Sequence, residues 1–397
     1  MKLSYTPPIH RLLSCTVAFL VAITTLTMSN DARAATVSAP QAAPELSDLA
    51  QRYLQYRADR LASESSAAQG ITAVEIGDRF AGKLASEISA IDARRDLLRK
   101  VNGGHKRAEV TISGVEETTL HGGTIELKAT EHAKLHFART YPDAPTFEEY
   151  SLRHRFVFER RGNRWVLQET SPELAVGELA PDTQPTIAVD MPTTSAVSPN
   201  KDASATDRPT NHSTAAAPDK TKATRNATLA VYDYTAMLDY ANKYWNNYNS
   251  NYRTYDGVGG DCTNFISQIV KAGGWAEVGS YPGDSRSDNA NWYYGSLTIT
   301  TSYTWPAAEN WYWFAQIESK RTSHLDNIWK MLTADVLQVD FFKTGTLSHS
   351  IFVTGRSGSG VYADELYLTY HSNNTHNKPL SSFLASNSDA WYYAHRT

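Results

Sequence analysis

Apolar residues recur at helical spacing from about Leu46, with Leu49, Tyr53, the aliphatic stem of Arg57 and Leu61 along one face. A second helical run spans Ile71 to Val101 and puts Phe80, Leu84, Ile88, Ile91 and Leu98 in register. The period then shortens to two. Ala108–Val115, Thr124–Ala129, Leu152–Phe158 and Trp165–Glu169 read as strands, and Arg160-Arg161-Gly162-Asn163 has the composition of a hairpin turn between the last two. Two helices followed by an antiparallel sheet predict a small α+β domain over residues 45–180. Its element order loosely resembles cone-shaped domains of the nuclear-transport-factor-2 type.

Between residues 181 and 228 the pattern disappears. Pro, Thr, Ser, Ala and Asp dominate and large apolar side chains are almost absent, so the segment reads as a flexible linker. From residue 229 to 397 the chain is rich in Tyr, Trp and Asn and forms the second expected domain. Its first helix runs from Tyr234 to about Tyr248. A loop holding Asp256, Gly257, Gly259 and Gly260 leads to Asp261-Cys262-Thr263-Asn264, and a second helix carries the stripe Phe265, Ile266, Ile269, Val270 before Gly273-Gly274 closes it. Val336–Phe342, Ser350–Thr354 and Glu365–Tyr370 read as strands, the last running into His371-Ser372-Asn373-Asn374.

Composition refines this picture in two places. With 397 residues, 41% hydrophobic and 20% charged, the chain has material for two cores. Its formal net charge of -4 lacks the basic excess that nucleic acid or an anionic membrane selects. The N-terminus places Lys2, His10 and Arg11 before an apolar run from Leu12 to Leu26 and then Ala32-Arg33-Ala34, the layout of a signal peptide over residues 1–34. The run is shorter than the ~20 residues of a spanning helix, so the expectation is a secreted or wall-associated protein with no membrane contact once the signal is removed.

The two cysteines are Cys15 and Cys262, and Cys15 lies inside the expected signal. Cys262 would then be the one thiol of an exported protein, either buried, cross-linked or used. It sits where a glycine-rich loop becomes a helix. Unpaired amides and the macrodipole there favour a thiolate and can also hold an oxyanion. A thiolate nucleophile needs an imidazole to carry protons, and His349, opening an apolar strand, is the candidate. The next strand ends in His371 and Asn373, and either could orient that ring. Each residue also has a plain reading, since a cysteine before a helix is often a small buried hydrophobe. His349, His371 and His376 have no metal-binding spacing, so neither a metal nor a cofactor is called for.

The order of these elements resembles the papain-like NlpC/P60 and CHAP hydrolases, and more closely an amidase domain family of exported bacterial proteins. The resemblance rests on Asp261-Cys262-Thr263-Asn264-Phe265-Ile266-Ser267-Gln268, Gly273-Gly274, the Trp292–Trp313 region, Asp335-Val336-Leu337-Gln338, His349-Ser350 and Tyr370-His371-Ser372-Asn373 followed by Pro379-Leu380-Ser381. It covers nearly all of 231–397. It implies an α+β domain with helices packed on an antiparallel sheet, Cys262 as nucleophile, His349 as general base and acid, and a third residue at His371 with Asn373 as rival. Ala334 stands where the family usually has glycine. The implied function is cysteine-dependent hydrolysis of an amide or peptide bond, with cell-wall peptide as the substrate expected by analogy. The alternative is a non-catalytic module that grips wall glycan or peptide in an aromatic cleft.

Overall fold

The computed structural model describes residues 43–62, 71–174, 179–184, 212–216, 232–255, 260–371 and 373–397. The expected signal peptide, Cys15, most of the expected linker and the 256–259 stretch of the glycine loop lie outside the described residues.

Helices α1 (Ala43–Ala62) and α2 (Asp78–Asn102) precede four antiparallel strands, β1 (His105–Thr119), β2 (Thr124–Phe137), β3 (Phe147–Arg161) and β4 (Arg164–Pro172). The helical stripe read from the sequence is the buried one: Leu46, Leu49, Tyr53 and Leu61 of α1 and Phe80, Ile91 and Leu98 of α2 share one core with Leu127, Leu135, Leu152 and Phe156. Arg57 departs from the expectation that only its stem would be buried. The whole side chain is interior, because its guanidinium pairs with Glu87 and donates to Tyr53 Oη at 2.8 Å, Thr183 O at 2.6 Å and Gln184 Oε1 at 2.8 Å. Partners from its own helix and from two distant segments offset the desolvation cost that would otherwise keep an arginine outside.

The remaining elements are α3 (Tyr234–Tyr244), α4 (Cys262–Ala272), α5 (Ala308–Tyr312) with a π-helical turn at Trp313–Glu318, β5 (Ser323–Leu325), β6 (Val336–Asp340), β7 (His349–Ser357), β8 (Glu365–Tyr370), β9 (Thr375–Pro379), α6 (Leu380–Ser386) and β10 (Trp391–Arg396). The class is α+β, with helices on an antiparallel sheet. Strand alternation sorts side chains between two cores. Val336 and Phe352 pack with α3, α4 and the tryptophans Trp275, Trp292, Trp305 and Trp311 on one face. Leu337, Val339, Ile351, Val353 and Tyr370 pack with α6 on the other. Those tryptophans are core residues rather than cleft lining.

One sheet runs through both regions, in the order β1-β2-β3-β9-β8-β7-β6-β10-β5, with β4 beside β3. Strand β3 is long enough to serve two neighbours on one edge: His154–Arg161 pairs with β4, while Glu149 and Tyr150 pair with His376 and Thr375 of β9. Ala42–Thr397 accordingly forms one compact unit. The expected linker, 181–228, is also held at two points. Ser213 bonds the Tyr392 carbonyl at 2.7 Å, and Asp182, Thr183 and Gln184 are buried. Asp182 pairs with Lys378 of β9 and lies 3.0 Å from Arg94 of α2. Composition alone hides this anchoring because the partners lie nearly 200 positions away and on α2.

Asp182→Ala would leave Lys378 with Glu148 as its remaining carboxylate and take from Arg94 the carboxylate it pairs with. We expect a loss of about 3–5 kcal/mol, read as a lower midpoint in urea unfolding of the full chain; an unchanged midpoint would mean the cluster is not held together by that carboxylate.

Candidate active site

Helix α4 opens on Cys262 itself, with Asp261 as the residue before it. The helix is enclosed by neighbours, so its polar side chains must find partners inside the protein. They do. Thr263 Oγ1 meets Ser350 Oγ at 2.9 Å, Ser267 donates to the Trp305 carbonyl at 2.7 Å, and Gln268 accepts from Tyr240 Oη at 2.6 Å. Asn264 donates to Asp261 Oδ1 at 2.8 Å and to Arg253 O at 3.0 Å, and accepts from Trp305 Nε1 at 2.8 Å.

Asp261 is the hub. Its Oδ1 also accepts the Tyr255 amide at 2.8 Å, and its Oδ2 lies 2.7 Å from His371 Nδ1. His371 Nε2 lies 2.9 Å from the Tyr244 carbonyl, and the ring stacks between Phe265, at 3.9 Å between centroids, and Tyr248, at 4.2 Å. A carboxylate and a backbone carbonyl both accept, so the ring bonds both only with a proton on each nitrogen. His371 thereby ties the end of β8 to the Asp261–Cys262 turn and to the end of α3. Neither nitrogen is free to take a proton from a thiol.

Cys262 is the free thiol among the described residues and is buried. Its Sγ lies 3.7 Å from Thr263 Oγ1. Burial pushes the thiol above its ordinary range, and the Ser350 N–H and the Thr263 hydroxyl pull it part of the way back. This departs from the expectation that the helix N-terminus would ease ionisation, because desolvation and the adjoining Asp261 charge outweigh the helix amides.

The Ser350 amide at the sulfur brings the backbone of His349 beside Cys262. Its imidazole goes elsewhere. Ser350 faces α4, so alternation sends the His349 ring to the opposite face of β7, 5.3 Å from Tyr370 and 6.2 Å from Phe341 between centroids. Both ring nitrogens are buried without a hydrogen bond, and burial depresses the imidazole to about 3. Neither His371 nor Asn373 bonds it. Asn373 is buried in a left-handed conformation, φ 70°, accepts from Thr375 Oγ1 at 2.7 Å, and leaves its Nδ2 unbonded.

Of the four residues read from the sequence, the structure thus joins Cys262 and His349 through the backbone, joins His371 to Asp261, and leaves Asn373 in the adjoining turn. Ser350, Thr263 and Gln338 were not singled out. The pattern that marks them is polar side chains at core positions of α4, β6 and β7; Gln338 Nε2 donates to Ser350 Oγ at 3.0 Å and to Ala308 O at 2.8 Å.

Residues 231–395 match the family model described as "Putative amidase domain". Among curated proteins, 125 residues are 26% identical to a Bacillus subtilis (strain 168) protein named "Uncharacterized protein YhbB", a match covering 32% of this chain and 38% of that relative's length. No solved structure matches. The C-terminal region is therefore similar to a putative amidase domain.

His349 and His395 are both held neutral by burial, each pushed from an ordinary 6.5 to about 3. Between those values the unfolded chain binds protons that the folded chain refuses, so stability present above 6.5 is lost as pH falls toward 3. We expect the thermal midpoint to drop on acidification from neutrality and His395→Gln to flatten that dependence. An identical slope in the variant would contradict a neutral His395.

Proposed function

We propose that this chain is a cysteine amidohydrolase of papain-like type, with Cys262 as nucleophile and His349 as the proton carrier. The observation that carries the reading is the packing of α4 on β7, where Thr263 Oγ1 meets Ser350 Oγ at 2.9 Å, which brings beside the thiol the backbone of a residue whose buried imidazole has no hydrogen-bond partner. Buried polar groups are ordinarily paired, so an imidazole with both nitrogens open fits a group whose partner arrives during a reaction.

The resting pair is then a neutral thiol and a neutral imidazole. When an amide enters, the start of β7 must rearrange to carry the His349 ring from the opposite face to the sulfur, where it accepts the thiol proton. The thiolate adds to the carbonyl carbon, and the Cys262 amide at the start of α4 donates to the oxyanion. His349 returns the proton to the amine as the C–N bond breaks. Water then attacks the acyl-thioester, giving up its proton to His349, and the carboxylate leaves as the thiol is restored. His371 acts through Asp261, keeping the turn that presents Cys262 in one conformation.

The expected substrate is an amide or peptide bond of cell-wall material, reached by export through the N-terminal signal. Both rest on the resemblance read from the sequence. The competing reading is a wall-binding module, consistent with the closed thiol but giving no role to the unpaired imidazole.

Purified peptidoglycan incubated with the full chain should release new amino groups, and Cys262→Ala should reduce that rate at least about a thousandfold while the thermal midpoint holds. Turnover that persists in the variant would overturn the cysteine mechanism. Binding to the sacculus with no amine release by the wild type would favour the module.

A further inference from the structure

The N-terminal helices and strands bear no reacting constellation of their own, yet they touch the amidase region at its most polar interior point. Three contacts meet there. Tyr150 of β3 pairs with Thr375 of β9, and Thr375 pairs in turn with Tyr370 at the end of β8. The Ser151 amide donates to the Asn374 carbonyl at 3.1 Å, fixing a turn in which Asn373 and Asn374 both have positive φ. Asp182, fastened to Arg94 of α2, forms a buried ion pair with Lys378 of β9.

Lys378 is the unusual member. An ammonium is among the costliest groups to bury, and this one is buried between a carboxylate from the chain after β4, the Glu148 carboxylate of β3, and Tyr370. Glu148 is itself buried, 3.2 Å from His105 at the start of β1. Burial favours the neutral amine, and Asp182, Glu148 and Tyr370 together keep the proton on. The Tyr370 ring, on its other side, stands edge-on to His349 at 5.3 Å, crossing it at 81°.

We infer that the N-terminal region is a working part of the amidase site: Asp182 and Glu148 hold Lys378, Lys378 and the β3–β9 pairing fix Tyr370, and Tyr370 sets the resting position of the His349 imidazole. These four are positioning residues. The inference rests on His349 being the proton carrier, as proposed above. It gives the described region from α1 to Gln184 a part in the site itself.

The groups facing His349 from the elements packed on it are the Tyr370 phenol of β8 and the Phe341 ring after β6; Lys378, Glu148 and Asp182 act on it through Tyr370. The test uses the full chain and iodoacetamide, following carboxamidomethylation of Cys262 by intact mass at neutral pH. Removing one charge risks unfolding, so the informative variant is Asp182→Asn combined with Lys378→Met, which leaves no unpaired charge. Tyr370→Leu and Lys378→Arg accompany it, with thermal midpoints for all.

We expect the double variant and Tyr370→Leu to melt cooperatively and to change the Cys262 rate by about tenfold, the effect of one pKa unit on thiolate supply. Lys378→Arg, which keeps the ion pair, should restore a rate near wild type; a purely structural role would not distinguish it from the double variant once both are folded. His349→Ala separates the two layers. If it leaves the Cys262 rate untouched, His349 is not the proton carrier and the reading of the site fails. If it alters the rate while the folded double variant and Tyr370→Leu behave as wild type, the site reading stands and the positioning role of the N-terminal region is overturned.

Discussion

Much of this structure depends on helix α4 being enclosed by protein. A helix that opens on Asp-Cys-Thr-Asn and continues through Ser and Gln cannot be enclosed unless each of those side chains finds a partner. The partners come from everywhere: Tyr255 and Arg253 from the loop before it, Trp305 from the aromatic stretch, Ser350 from β7, Tyr240 from α3 and His371 from the end of β8. Satisfying one short helix thus fixes the relative placement of five other parts of the chain. Asp261 carries the largest share, because an ionised carboxylate in the interior is tolerable only with its lone pairs engaged. Tyr255, Asn264 and His371 engage them.

The same enclosure governs the chemistry. A thiol at a helix start in water would ionise readily; behind β7 and beside Asp261 it is held protonated. The imidazole one residue before Ser350 is held neutral by the same cause. Two neutral groups are far easier to keep in a packed core than an ion pair, so the resting state stores reactivity without exposing a thiolate to oxidants. In the mechanism proposed above, charge separation is deferred to the moment an amide displaces the local packing.

The elements that were legible in the sequence are those whose partners are local or periodic. The stripes of α1, α2 and α4, the Arg160–Asn163 hairpin and the strands at Val336, Ser350 and Glu365 all follow from spacing within a dozen residues. Strands β5, β9 and β10 were not legible. β9 reads Thr-His-Asn-Lys-Pro, with Asn377 in a left-handed conformation, and it is a strand only because β3 and β8 flank it. Cys262 and His349 stood out by type and position. The partner of His371 did not, since a histidine after a strand gives no sign of whether it will face another histidine or a carboxylate 110 positions earlier. Asp261 stood in the motif beside Cys262, and its carboxylate shapes the loop through the Tyr255 amide; what the motif does not show is that His371 is its other partner.

Lys378 shows how far such long-range dependence reaches. In the sequence it is an ordinary lysine before a proline, the kind of residue that usually faces water. In the fold it is buried because Glu148 arrives from β3 and Asp182 from the start of the Pro- and Thr-rich segment. The acids are also held by Arg94 and His105, whereas the lysine has Asp182 and Glu148 as the carboxylates that keep it charged in the interior. A flexible tether between independent domains cannot maintain such mutual dependence, since a charge cluster exposed by domain motion would be solvated and lose its strength. The shared sheet and the buried cluster therefore argue that β3 and β9 move as one body, and that the electrostatic surroundings of the C-terminal region depend on the strands that flank it.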